Sequence, residues 1–290
     1  MSRLEAIVAA CGGILLDGGK RALIPGPDHS AKDRSVSLVE TEEGRILVHC
    51  FSPKDDWRAV KRALDQKGLL RGSGEASGPA SNEPVLQPKS EDRVLRAARL
   101  WREGRSIRFS LAASYLQRRS IDDVSDRDAL RFHAAMTSVD DRARRPALMA
   151  AITGADDALQ GVQVTLLSAH GAAKACVVSP RRTIGRLVGG AVRLGAPGDV
   201  LIVAEGVESA LSAGASLGAP VWAALTAYNL SLFTPPPSVA HLVIAPDADE
   251  AGLVAADKLK SRLIETVRVS IEPPPNGAND WNAWACAQRR

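Results

Sequence analysis

Two aspartates, Asp247 and Asp249, close an apolar run that reads HLVIAPDADEAG from His241 to Gly252. A third acid, Glu205, ends a second apolar run, DVLIVAEG. Residues i and i+2 of an extended chain point the same way, so the two aspartates can approach one ion together. In an open parallel sheet, groups at the carboxyl ends of the strands face a common crevice. Glu205 therefore stands opposite the aspartates if the two strands are neighbours. Three clustered carboxylates raise one another's pKa unless a cation neutralises them. An all-oxygen set selects Mg²⁺ or Mn²⁺ over zinc. Such an ion clamps phosphate oxygens and stabilises the charge of phosphoryl or nucleotidyl transfer. The plainer alternative is that the aspartates cap the helix that follows, and for Asp249 alone both readings stay open.

The flanking pattern has to position these acids. From residue 199, apolar strands alternate with helices: DVLIVAEG, VESALSAGASLG, PVWAAL, NLSLF, HLVIAPDADEAG, GLVAADKLKSRLIE and TVRVSIEP. Strands apolar throughout and joined by helices predict a parallel sheet covered on both faces, an α/β domain over 198–290. Upstream, ALMAAITG, GVQVTLLS, KACVVSP and GGAVRL predict short antiparallel strands. EDRVLRAARLWREG, ended by Gly104, and SLAASYLQRR predict helices, and His133 in LRFHAAM is read as a helix-face residue. Residues 91–197 thus form a helical and antiparallel subdomain. Residues 71–90, rich in Gly, Ser, Pro and Ala, read as a linker. Residues 1–70 form a small α+β module. Its strands RALIPG and GRILVHCF flank a polar loop, and its helix DDWRAVKRALDQKG is capped by Asp55 or Asp56 and stopped by Gly68. The fold class is α/β plus α+β.

The chain has 290 residues, a net charge of +4 and an isoelectric point of about 9.0. That balance is compatible with nucleic acid without requiring it. Arg144, Arg145, Lys174, Arg181, Arg182 and Arg186 sit at the edges of the antiparallel strands and are the candidate phosphate contacts. Arg93, Arg96, Arg99 and Arg102 recur every third residue and wind around their helix, which reads as a solvated surface. The four cysteines form no C-x-x-C pair, which argues against a disulfide framework and for a reducing compartment. No stretch reaches the length of a membrane span, so a soluble cytoplasmic protein with no membrane partner is expected. GRLVGG lacks the Lys-Ser/Thr of a phosphate loop. Ser209 and Ser212 read as helix-terminal or packing hydroxyls.

VAEGVESALSA and VIAPDADEAG resemble the Toprim domain, the metal-binding α/β unit of bacterial primases, topoisomerases and some nucleases. Glu205 and Gly206 match its first motif; Asp247, Asp249 and Gly252 match its Asp-x-Asp-x-x-Gly motif. The resemblance implies Mg²⁺ or Mn²⁺ on Glu205, Asp247 and Asp249, assisted by Asp280 of GANDWNAW. The second acid of that tail is replaced by Asn282. Glu208 stands where primases often carry an acid a turn after the first motif. YLQRRSI, LRFHAAMT, RPALMAAITGADDALQGVQVTLL and TIGRLVGGAVRL resemble plasmid- and phage-type primases. The N-terminal module resembles a degenerate primase zinc ribbon. His29 and Cys50 match two ligands, but Gly26 and Pro53 or Lys54 occupy the others. Neither Cys11 nor His49 completes a set of four N or S ligands. Zinc is not expected, and His29 and Cys50 read as packing or polar-network residues. Lys32 and Arg34 give that module a basic loop able to touch phosphate.

The resemblance implies a metal-dependent primase-like nucleotidyltransferase. Glu205, Asp247 and Asp249 would be catalytic, single-stranded DNA the template, nucleoside triphosphates the substrates, and any helicase a separate protein. A Toprim nuclease or nickase, with Glu205 as general base toward water, is the first alternative. A non-catalytic DNA-binding protein of a mobile element is the second. A topoisomerase needs a nucleophilic tyrosine, and neither Tyr115 nor Tyr228 has topoisomerase-like surroundings.

Overall fold

The computed structural model describes residues 2–27, 29–30, 33–41, 44–50, 56–70, 90–122 and 128–289. The linker assigned to 71–90 lies outside them except for Ser90, as do Lys32, Pro53, Lys54 and Asp55. Two compact units result: Met1–Pro84 with the short segments 137–143 and 177–179, and the remainder of the chain.

In the first unit, α1 (Arg3–Cys11) precedes β1 (Ile14–Leu16), β2 (Arg21–Ile24), β3 (Val36–Glu40), β4 (Ile46–Cys50) and α2 (Trp57–Gln66). The four strands pair in sequence order and antiparallel. Leu4, Ile7, Ile24, Val36, Leu38, Ile46, Val60 and Leu64 form its core. Asp56 caps α2 through the Arg58 amide at 3.0 Å. VSLVE, assigned to a polar loop by sequence, is strand β3, because Val36 and Leu38 alternate into that core. His29 belongs to a polar network: its Nδ1 lies 2.9 Å from Asp33 Oδ2 and 3.3 Å from Ser35 Oγ.

The second unit continues with α3 (Ser90–Glu103), β5 (Arg105–Ser106), α4 (Leu111–Gln117), β6 (Leu130–Thr137), β7 (Arg144–Thr153), β8 (Leu159–Leu166), β9 (Arg181–Gly185) and β10 (Val192–Arg193). It ends with β11 (Val200–Ala204), α5 (Val207–Leu217), β12 (Val221–Ala223), α6 (Ala227–Ser231), β13 (His241–Ala245), α7 (Glu250–Leu263), β14 (Arg268–Ile271) and α8 (Trp281–Gln288). Strands β5 to β9 form one sheet in sequence order. His133 lies in β6, not on a helix. The alanine-rich segment favours helix locally, but pairing within this sheet outweighs that weak preference. KACVVSP is not a strand. Ser168 gathers the amides of Gly171, Ala172 and Ala173 into a tight loop, and only Lys174 makes a bridge, to Leu167.

The other sheet has the order β10-β12-β11-β13-β14, parallel except for β10. Its two faces follow from the period of two. Ile202, Ala204, Val243 and Ala245 face a core shared with α5, Trp281, Tyr115, Leu148 and Ile152. Leu201, Val203, Leu242 and Ile244 face α7 through Ala255, Ala256, Leu259 and Leu263. Among the described residues, no helix is long and apolar enough to cross a membrane.

Candidate active site

The register of β11 on β13 pairs Ala204 with Ala245. Glu205 follows the first of these residues directly, and Asp247 follows the second by two. Sequence reasoning required these strands to be neighbours, and they are. Burial, followed by repulsion from Asp247 and Asp249, pushes the Glu205 carboxyl up to about 7, although the Ala227 amide and Arg181 oppose the shift. Burial, followed by repulsion from Asp280, pushes Asp247 up to about 6, against a hydrogen bond from Ser209. Asp247 Oδ1 is buried, with no hydrogen-bond partner among the described residues.

Asp249 caps α7, its Oδ1 accepting the Gly252 amide at 2.8 Å. The capping alternative is therefore realised, but it engages one carboxylate oxygen of two. Replacement separates the roles. Asn caps as well as Asp, so Asp249→Asn should change stability by less than about 0.5 kcal/mol, whereas Asp249→Ala should cost about 1 kcal/mol. If the charge also serves chemistry, both variants lose activity; thermal melts paired with the activity assay read the two effects apart.

The spacing to Gly252 has a steric cause. A Cβ there would lie 2.4 Å from the Asp247 backbone oxygen, so only glycine lets the first turn of α7 pack on the aspartate loop. Gly252→Ala should destabilise this unit by about 1–3 kcal/mol, measured by urea unfolding. Asp280 reaches the cluster because the Ala248 amide donates to the Asn279 carbonyl at 2.8 Å, tying the two loops together. Asp280 also caps α8, accepting the Ala283 amide at 2.7 Å. Asn282 is buried and fully engaged. It accepts from Arg119 at 2.9 Å and donates to the Arg119 carbonyl at 2.7 Å and to Ser212 Oγ at 3.0 Å. Its amide joins α5 and α8 to the segment that follows α4, a task to which a carboxylate brings no donor.

Beside the acids lies a second ionic group that sequence reasoning did not assemble. Glu208 is buried in the first turn of α5. Tyr115 donates to it at 2.6 Å, Arg181 at 2.8 Å to both oxygens, and Lys174 Nζ lies 3.4 Å away. Burial alone would raise the Glu208 pKa; Arg181, Lys174 and Tyr115 reverse this and hold it at about 2. Burial and Glu208 push the Tyr115 hydroxyl well above its ordinary range, which keeps it a protonated, buried donor to Glu208. Burial lowers the Lys174 pKa in spite of its partner. Arg181 also draws down the pKa values of Glu205 and Asp247, so its charge reaches both groups.

The six candidate phosphate contacts differ in their surroundings. Lys174 and Arg181 gather on Glu208. Arg186 donates to Gln160 Oε1 at 2.8 and 3.2 Å, and Arg144 donates to the Ala135 carbonyl at 3.2 Å. Arg145 and Arg182 lie on β7 and β9. Ser209, read from sequence as a helix-terminal or packing hydroxyl, lies in the first turn of α5 and hydrogen-bonds Asp247.

Among the described residues, no three His, Cys, Asp or Glu side chains converge into a ready-made ion cage. The donor set nevertheless fits a hard divalent cation. It is all carboxylate oxygen, it contains the unpartnered Asp247 Oδ1, and Glu205 and Asp247 hold raised pKa values that a cation would relieve.

Residues 200–289 match the Toprim domain family, and residues 91–194 match a domain of unknown function, DUF7146. No curated protein matches the chain. Among solved structures, the DnaG catalytic core aligns at 16% identity and a TM-score of 0.48, covering 66% of this chain and 74% of that one. The zinc-binding and RNA polymerase domains of Aquifex aeolicus primase align at 14% identity and 0.42, covering 100% and 82%. The primase fragment of the bacteriophage T7 primase-helicase protein aligns at 13% identity and 0.39, covering 96% and 95%. The two matched families begin at residue 91, and the zinc-ribbon likeness of the N-terminal module has no counterpart among them.

Proposed function

The C-terminal part of this chain, residues 200–289, is a Toprim domain, and from that premise we propose that the protein is a metal-dependent, primase-like nucleotidyltransferase acting on single-stranded DNA. The observation that carries this reading is the pairing of β11 with β13, which sets Glu205 and Asp247 side by side with raised pKa values and leaves Asp247 Oδ1 unpartnered.

Asp247, Asp249 and Glu205 would hold Mg²⁺ or Mn²⁺, with Asp280 adding charge at the rim. When bound, such an ion would supply electrostatic stabilisation to phosphate oxygens. Glu205 either shares in holding it or takes the proton from the attacking 3′-hydroxyl, a role suited to a carboxyl raised toward neutrality. Arg181, fixed by Glu208, places positive charge next to the acids, where a triphosphate would need it. The substrates are nucleoside triphosphates and the template is unpaired DNA. The raised Glu205 carboxyl also suits a general base toward water, so DNA hydrolysis is the second reading.

Incubation with single-stranded DNA, labelled nucleoside triphosphates and Mg²⁺ or Mn²⁺ decides between them. Extension products that vanish in Asp247→Asn support synthesis. Shortened or nicked DNA supports the nuclease, and retention of DNA without either product supports a binding protein.

A further inference from the structure

Phe109 is wholly exposed, at 106% of its reference area, while the other large exposed apolar side chains among the described residues lie between 37% and 59%. Its backbone is also left-handed, at φ 54°. A bulky residue in that region is strained. The fold therefore carries two costs at one residue, and it holds the geometry firmly. On one side Ile107 is buried, and the Arg108 amide donates to Ser106 Oγ at 3.2 Å. On the other, Ser110 caps α4 through the Ala113 amide and returns its hydroxyl to the Ile107 carbonyl at 2.6 Å. Arg108 and Phe109 project from this braced turn.

The surroundings are cationic. Arg102, Arg105 and Arg108 are exposed, against the single acid Glu103 in the same stretch. The turn leads into α4, which packs on the loop that carries Lys174. The Leu111 backbone packs on Gly171, and the loop of Gly171 continues through Ala172 and Ala173, which line a cleft with Arg118 and Asp280, to Lys174 on Glu208.

An isolated exposed apolar residue is ordinary; a strained and fully presented aromatic ring in an arginine-rich stretch of chain is not. An aromatic face beside guanidinium groups is the arrangement that stacks an unpaired base while neighbouring cations hold its phosphates. We infer that Phe109 is a stacking platform for a base of single-stranded nucleic acid, with Arg105 on a flanking phosphate. This rests on the reading that the substrate is unpaired DNA, but it requires no catalysis.

The test is fluorescence anisotropy with a labelled oligothymidylate and its abasic counterpart, both in EDTA. Phe109→Ala removes no buried contact, so its fold is secure. It should bind the oligothymidylate about tenfold or more weakly and the abasic strand equally well. Phe109→Trp should restore affinity, and its emission should be quenched as the base stacks. Arg105→Ala should weaken both strands and flatten the salt dependence by about 0.7 in log–log slope. Equal binding of the oligothymidylate by wild type and Phe109→Ala overturns the inference. So does a surface that joins protein instead, seen as wild-type oligomers that Phe109→Ala dissolves without any effect on DNA. Primer synthesis by wild type with unchanged DNA binding by Phe109→Ala sinks the platform alone. A Phe109-dependent interaction without synthesis sinks the nucleotidyltransferase alone.

Discussion

Asp247→Asn should abolish metal-dependent turnover, by at least about 10²- to 10³-fold, and should stabilise the metal-free protein at the same time. The two effects share one origin. Burial, then Asp280 and Asp249, raises this carboxyl in the fold, so its ionisation opposes folding. The same holds for Glu205, through burial, Asp247 and Asp249. A raised folded pKa means that the native state binds protons more tightly than the unfolded chain, so stability falls as pH rises. The cost is absent below the ordinary values of 3.8 and 4.5 and complete above the folded values of about 6 and about 7. Without metal, wild type should therefore lose stability across this window. Asp247→Asn should lose less, and at pH 7.5 should melt about 2–4 °C higher, corresponding to about 1 kcal/mol once solvent screening of a half-buried group is allowed for. Mutation of an ordinary structural residue lowers activity and stability together; this one should drive them in opposite directions.

The second large effect belongs to the neighbouring charge cluster. Arg181→Met leaves Glu208, whose side chain is 6% exposed, with only Lys174 and Tyr115 to compensate its charge. Removing one partner of a buried ion pair costs about 3–5 kcal/mol. Urea unfolding should show that loss, and Arg181→Met combined with Glu208→Gln should recover most of it. Lys174→Met should cost less, because its amine lies farther from the carboxylate, at 3.4 Å.

The parallel sheet and its acids were legible in sequence because uninterrupted apolar strands leave little choice of partner or layer. The Asp-x-Asp-x-x-Gly spacing was legible for a local reason as well: Asp249 caps the helix that Gly252 packs against Asp247. Features built from distant segments were not legible. Glu208 draws its partners from α4, the 168–175 loop and β9, and no local pattern announces their meeting. Candidate phosphate arginines were chosen from strand edges, which say nothing of whether a carboxylate or a glutamine waits opposite, as it does for Arg181 and Arg186. The β6 strand was taken for helix because its alanines carry a local preference that sheet pairing overrides. Phe109 escaped notice because exposure and backbone strain leave no trace in residue order.

The measurement that bears most directly on the central claim is calorimetric titration of Mn²⁺ into the protein near pH 6.5, in two buffers of different ionisation enthalpy. Saturable binding with proton release from Glu205 and Asp247, lost in Asp247→Asn, is the predicted result. Absence of saturable binding, or binding undiminished in Asp247→Asn, would contradict the claim that these acids hold a divalent cation.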